Sequence, residues 1–154
     1  MLINFQTAKY VSTIFSLGFV GKMPGTLGSL VGLLFGIILN FFLDKKIAFA
    51  ILILSTIIFT LCVYVYQKKA GKIDKSEIII DEFLGQQIPL VFLDLTFLNI
   101  CLSFILFRFF DIFKIFPCNY IDKRYSGCIG VMLDDIIAAI QAFALILFIN
   151  YYVI

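Results

Sequence analysis

The sequence predicts an all-α fold: a polytopic membrane helical bundle with three spans plus one membrane-dipping helical hairpin, forming one domain over residues 1–154. Three observations carry that reading. Hydrophobic residues make up 62% of the chain and charged residues 14%, against about 45–50% and about 25% in soluble domains. A core built from 154 residues cannot hide that much apolar surface, so lipid must cover part of it. Uncharged runs recur at the length of a bilayer-crossing helix, and the basic residues sort almost entirely to one side of the resulting trace.

Residues 23–43 and 47–67 are uncharged, and each is long enough to cross about 30 Å of hydrocarbon. Asp44-Lys45-Lys46 is the tight turn between them, and residues 136–154 form a third such run. The stretch 83–107 differs because Asp94 interrupts it and leaves two arms too short to cross alone. A carboxylate at mid-membrane is costly. A hairpin that enters, turns at Asp94-Leu95-Thr96 and leaves on the same side, with arms running from 76 to 114, avoids that cost by dipping partway into the bilayer. Lys9, Lys22, Lys68, Lys69, Lys72, Lys75, Arg108, Lys114, Lys123 and Arg124 then share one side, with only Lys45 and Lys46 opposite. The positive-inside rule makes the crowded side cytoplasmic. Gly28, Gly32 and Gly36 recur on one helical face, where another helix can approach closely. Residues 115–130, with Pro117, Asn119, Gly127 and Gly130 as breakers, read as the most loop-like segment.

Composition removes several functions. A net charge of +2 without an aromatic-laced basic run excludes a nucleic-acid surface. Nothing in the chain specifies a protein partner. With no His, triad hydrolysis is absent, and Cys62, Cys101, Cys118 and Cys128 lack the spacing of a zinc site. Cys118 to Arg124 has the C-x5-R spacing of cysteine phosphatases, but the residues between include no Gly to wrap a phosphate.

What remains is a set of acids beside or inside apolar sequence: Asp81-Glu82, Asp111, and Asp134-Asp135. Carboxylates at membrane depth are seldom kept without a task. Several together, with no imidazole, point to a hard divalent cation held by oxygen ligands. Gly85, one turn beyond Asp81, leaves room for something bulky beside these acids. Arg108, Asp111 and Lys114 recur every third residue, a stripe suited to placing a metal carboxylate between two phosphate clamps. The segment Pro24-Gly25-Thr26-Leu27-Gly28-Ser29 reads as a tight entry to a helix whose free N–H groups, with the Thr26 and Ser29 hydroxyls, could cradle phosphate. Each feature also has a plain reading: acids favour helix starts, Arg108 can simply pair with Asp111, and Asp134-Asp135 can cap the last span.

In order, Pro24 to Ser29, Asp81-Glu82-x-x-Gly85, Phe107-Arg108-x-x-Asp111-x-x-Lys114, and the glycine-bearing stretch from Gly127 to Asp134-Asp135 resemble the phosphatidylglycerophosphatase A family over nearly the whole chain. Ile115 stands where the family pattern has Pro, and Cys128 and Ala139 where it has Gly. The resemblance implies a Mg2+-dependent enzyme that removes the terminal phosphate of phosphatidylglycerophosphate, a membrane phospholipid, in glycerophospholipid biosynthesis. The expected catalytic residues are Asp81, Asp111 and Asp135. Asp81, Glu82, Asp111, Asp134 and Asp135 are the expected metal ligands, and Thr26, Ser29, Arg108 and Lys114 the expected substrate contacts. The expected setting is the inner membrane, multi-pass, with the site on the cytoplasmic side. Two alternatives stand beside this reading. One is a phosphatase for another lipid phosphate. The other is a non-enzymatic membrane scaffold, in which each acid would be matched singly with a base.

Overall fold

A computed structural model describes residues 3–71 and 76–152, the side chain of Asp122 excepted; Lys72 and Lys75, counted above on the basic side, lie outside the described residues, as do residues 153–154 of the third run. The described residues form helices and no strand: α1 (Phe5–Ser12), a short 3-10 turn (Leu17–Phe19), α2 (Pro24–Phe42), α3 (Lys45–Ala70), α4 (Ile80–Phe92), α5 (Phe97–Phe113), α6 (Cys118–Arg124) and α7 (Gly127–Tyr152). Three of them, α2, α3 and α7, are long and apolar enough to cross a membrane. α2 and α3 coincide with the first two uncharged runs, and α7 takes in the described part of the third but starts before it, at Gly127.

Local chemistry sets the helix ends. Pro24 occupies the first turn of α2, where its missing N–H costs nothing. Lys68 and Lys69 sit in the last turn of α3, favourable to its dipole, and Gly71 closes that helix at φ 70°. Thr96 caps α5 by accepting the Asn99 N–H at 3.2 Å.

α4 and α5 form the hairpin, joined by residues 93–96 around Asp94. The tip lies farther along the bundle than a hairpin turning partway would reach. Lys45 Nζ pairs with Asp94 Oδ1 at 2.9 Å, so the tip stands level with the α2–α3 turn. One turn into α5, Asn99 Oδ1 accepts from Asn150 Nδ2 near the end of α7 at 3.0 Å. The sequence places the turn but cannot show its depth, because the pairing that fixes it links residues 49 apart. Asp94 therefore lies at an exposed end rather than inside the bundle, its side chain 87% accessible.

α4 is central, packed on α2 along one flank and on α7 along the other, while α5 and α6 pack on α7 and α1 on α3. The α2–α4 contact uses the glycine stripe. A Cβ at Gly28 would come within 2.7 Å of the Ile79 carbonyl oxygen, and one at Gly36 within 2.7 Å of Leu90 Cδ1. Residues 115–130 are not mainly loop. Pro117 starts the short α6, which ends in Lys123 and Arg124, and Gly127 at φ 77° begins α7 rather than interrupting it. The breakers there punctuate helices.

Candidate active site

The three acidic clusters come together at the end of the bundle opposite Asp94. Asp81 and Glu82 project from the first turn of α4, Asp111 from the last turn of α5, and Asp134 and Asp135 from α7. One carboxylate oxygen from each of Asp81, Glu82 and Asp135 lies within 4.8 Å of the other two, and the same holds for Asp111, Asp134 and Asp135. Asp135 belongs to both groups. Five acids from three sequence-distant segments thus surround one region, and each of the two groups is close enough together that it could hold a metal ion.

The two groups differ in their counter-charges. Arg108 Nη1 pairs with Asp111 Oδ2, and Lys114 Nζ pairs with Asp134 Oδ2 at 2.7 Å. Among the described residues no salt bridge reaches Asp81, Glu82 or Asp135, and their Oδ1, Oε2 and Oδ2 atoms are buried without a hydrogen-bond partner. Unpaired buried carboxylates repel one another and cost several kcal/mol each unless a cation joins them. These three carboxylates bring one oxygen each within 4.8 Å of the others, which matches the donor set of a hard divalent ion. The residues fit the group the sequence calls for.

Accessibility sets the direction of approach. Asp81 and Asp135 are 7% and 5% exposed, whereas the Arg108 and Asp111 side chains are 14% exposed and that of Lys114 37%. Asp81 and Asp135 lie deep, Arg108 and Asp111 are equally accessible, and Lys114 stands at the edge.

Several local expectations change on contact with the structure. Asp134 and Asp135 do not cap α7, which starts at Gly127 nearly two turns earlier. The space beside Gly85 is filled by Phe107, whose ring carbons would lie 2.8 Å from an added Cβ. Ser29 is fully buried; its Oγ donates to the Gly25 carbonyl at 2.9 Å and accepts from Arg108 Nη1 at 3.3 Å. It therefore orients Arg108 across from α2. Thr26 is half-buried on the same turn, with no hydrogen bond from its hydroxyl among the described residues. Gly25 is needed for approach: a side chain there would strike the Glu82 carboxylate and come within 3.3 Å of Arg108 Nη2. The Pro-Gly-Thr segment is thus partly a docking surface for the site's own residues.

Cys118 is buried beneath the site with Phe107, Ala138, Ala139 and Ala142. Burial, and then the charges of Asp134, Asp135 and Asp111, push its thiol up to about 11. It stays protonated at neutral pH, which removes the thiolate a cysteine phosphatase requires. The sequence did not single out Gln141, whose amide contacts Cys118 and Phe116. Its signal was available, since it is the one polar residue in 136–149.

Fold and site together define a class: a polytopic helical membrane protein carrying a largely buried carboxylate cluster that could hold a metal ion, with two cationic side chains paired to it. The chain belongs to the Phosphatidylglycerophosphatase A family, which matches residues 10–150. It is 39% identical over 144 residues to Phosphatidylglycerophosphatase A of Haemophilus influenzae, covering 91% of this chain and 86% of that protein. Against Phosphatidylglycerophosphatase A of Escherichia coli K12 the identity is 29% over 139 residues, covering 90% and 80%. A putative phosphatidylinositol-3-phosphatase of Bacteroides thetaiotaomicron is 31% identical over 145 residues, covering 88% and 89%. No solved structure matches the chain.

Proposed function

We propose that this protein is a Mg2+-dependent phosphatase that converts phosphatidylglycerophosphate to phosphatidylglycerol and phosphate at the cytoplasmic face of the inner membrane. The observation that carries the reading is the set of three buried, unpartnered carboxylate oxygens of Asp81, Glu82 and Asp135, next to two bases already held by other acids. The names of the Haemophilus and Escherichia relatives supply the headgroup. The positive-inside rule supplies the orientation, because Lys68, Lys69, Arg108 and Lys114 share the site's end of the bundle and Lys45 and Lys46 the other.

Asp81, Glu82 and Asp135 would hold the cation, which when bound neutralises charge on the phosphoryl oxygens and lowers the pKa of a bound water. The remaining roles fall to the chain. Lys114 stands nearest the solvent, and Arg108 and Lys114 exchange Asp111 and Asp134 for two phosphate oxygens when the headgroup arrives, a trade between one anion and another. Ser29 keeps the Arg108 guanidinium aimed at the site during that exchange. Asp111, released from Arg108, accepts the proton of the attacking water. The water oxygen bonds to phosphorus, the ester P–O bond breaks, and Asp111 returns the proton to the departing alcohol oxygen. The substrate is a lipid, so its acyl chains remain in the leaflet while only the phosphate enters.

A second reading keeps the chemistry and changes the headgroup. The Bacteroides relative's name favours a phosphoinositide, and nothing in the carboxylate cluster discriminates between phosphomonoesters. Phosphate release from phosphatidylglycerophosphate and phosphatidylinositol 3-phosphate, each with Mg2+ and with a chelator, decides between the two. The proposal expects Mg2+-dependent release that strongly prefers phosphatidylglycerophosphate. Preference for the inositol lipid would transfer the assignment to the second reading, and release from neither would end both.

A further inference from the structure

Lys114 is the most exposed of the site's charged groups, and its position is not set by its own helix. It is the residue that ends α5, at φ 44° in the left-handed region. That conformation is unfavourable for a side chain other than Gly, Asn or Asp. The stretch behind it, 115–117, is non-helical and lies against an apolar span, with Ile115 and Phe116 exposed on the outside. Irregular backbone in apolar surroundings persists only where its polar groups find partners. Such a turn needs an anchor.

The anchor is on α7. Gln141 Nε2 donates to the Phe116 carbonyl at 2.9 Å, and Gln141 Oε1 accepts from the Cys118 thiol at 2.8 Å. One amide therefore grips the chain on both sides of Pro117. Cys118 is itself fully buried against Ala138, Ala139 and Ala142, and its N–H returns to the Ile115 carbonyl at 2.9 Å. Lys114 leaves this clamped turn and meets Asp134, which lies on the same helix as Gln141. The clamp and the clamped ammonium thus share one rigid frame.

We infer that Gln141 is a positioning residue for phosphate binding: by holding the Phe116 carbonyl and the Cys118 thiol, it fixes the turn that presents Lys114 to the substrate phosphate. It touches neither substrate nor cation. The inference rests on the reading of Lys114 as a phosphate clamp, and it predicts an effect on substrate affinity that travels only through Lys114. Replacing Gln141 by Leu keeps the volume and removes both hydrogen bonds. The turn then loosens, and Lys114 spends less of its time at the site.

The test is a double-mutant cycle on the full chain in detergent micelles containing phosphatidylglycerophosphate, reading kcat and KM separately, beside Mn2+ binding by electron paramagnetic resonance. Gln141→Leu is expected to raise KM about tenfold while leaving kcat and Mn2+ affinity close to wild type. In a Lys114→Ala background the same change should add nothing further. Cys118→Ala, which removes only the weaker thiol donor, should raise KM about threefold, and Cys118→Ser, which restores a donor, should bring it back. A tenfold rise that persists in the Lys114→Ala background, or wild-type KM in both Gln141→Leu and Cys118→Ala, would overturn the inference. Wild-type KM in Lys114→Ala alone would instead remove the phosphate clamp from the proposed function, and the role of Gln141 with it.

Discussion

The two carboxylate groups that share Asp135 look alike in sequence and differ in what surrounds them. Asp111 and Asp134 each hold a base, Arg108 and Lys114. Asp81 and Glu82 hold none, and oxygens of both are buried without partners. With Asp135, the first arrangement sets two bases against three acids. The second is a deep concentration of like charge that a cation would relieve. Five acids in one region are therefore not five equivalent groups: on the proposed function Asp81, Glu82 and Asp135 hold the cation, while Asp111 and Asp134 keep Arg108 and Lys114 in place until substrate takes them.

The shared residue gives the largest expected effect. Asp135→Asn weakens both groups, so turnover should fall by about 10³-fold or more, the rate equivalent of about 4 kcal/mol. Single-turnover phosphate release per folded molecule measures it. Activity within tenfold of wild type would remove Asp135 from the centre of the account.

Asp81→Asn probes the unpaired side alone and separates stability from function. Removing one of three crowded carboxylates should raise the melting temperature in chelator, by the equivalent of about 1–3 kcal/mol. Mg2+ should then stabilise the wild type but not the variant. Thermal melts with and without Mg2+ give both answers. A variant that melts lower than wild type in chelator would mean that Asp81 is held by a structural partner.

Asp111→Asn probes the paired side. Folding and Mn2+ binding should survive, while turnover falls about 100-fold through loss of the proton acceptor. Unchanged turnover with a lowered melting temperature would make Asp111 a structural counter-ion for Arg108 and nothing more. At the far end of the bundle, Asp94→Asn should cost no more than about 1 kcal/mol and leave turnover intact, because Lys45 and Asp94 are an exposed pair.

The three spans were legible because nothing except a membrane-crossing helix explains such long uncharged runs, and the hairpin turn because Asp94 breaks the fourth. Convergence of the acids was legible because each cluster sits where apolar sequence should exclude it. Their division into two kinds was not. Spacing puts Arg108 and Asp111 on one face of α5, but the pairing of Lys114 with Asp134 crosses between helices and has no local trace. Gly85 was read as leaving room beside the acids, a space that Phe107 fills, and Gly25 was read only as part of a helix entry, with no sign in the sequence of its approach to Glu82 and Arg108. The stretch 115–130 misled because Pro and Gly mark the ends of short helices as readily as the inside of a loop.

The most direct test of the central claim is Mn2+ binding, followed by electron paramagnetic resonance on equal amounts of folded wild type, Asp81→Asn and Asp111→Asn in detergent. The account predicts that wild type and Asp111→Asn bind the ion with affinities within a few-fold of each other, while Asp81→Asn loses binding. Loss of the ion in Asp111→Asn with retention in Asp81→Asn would contradict it.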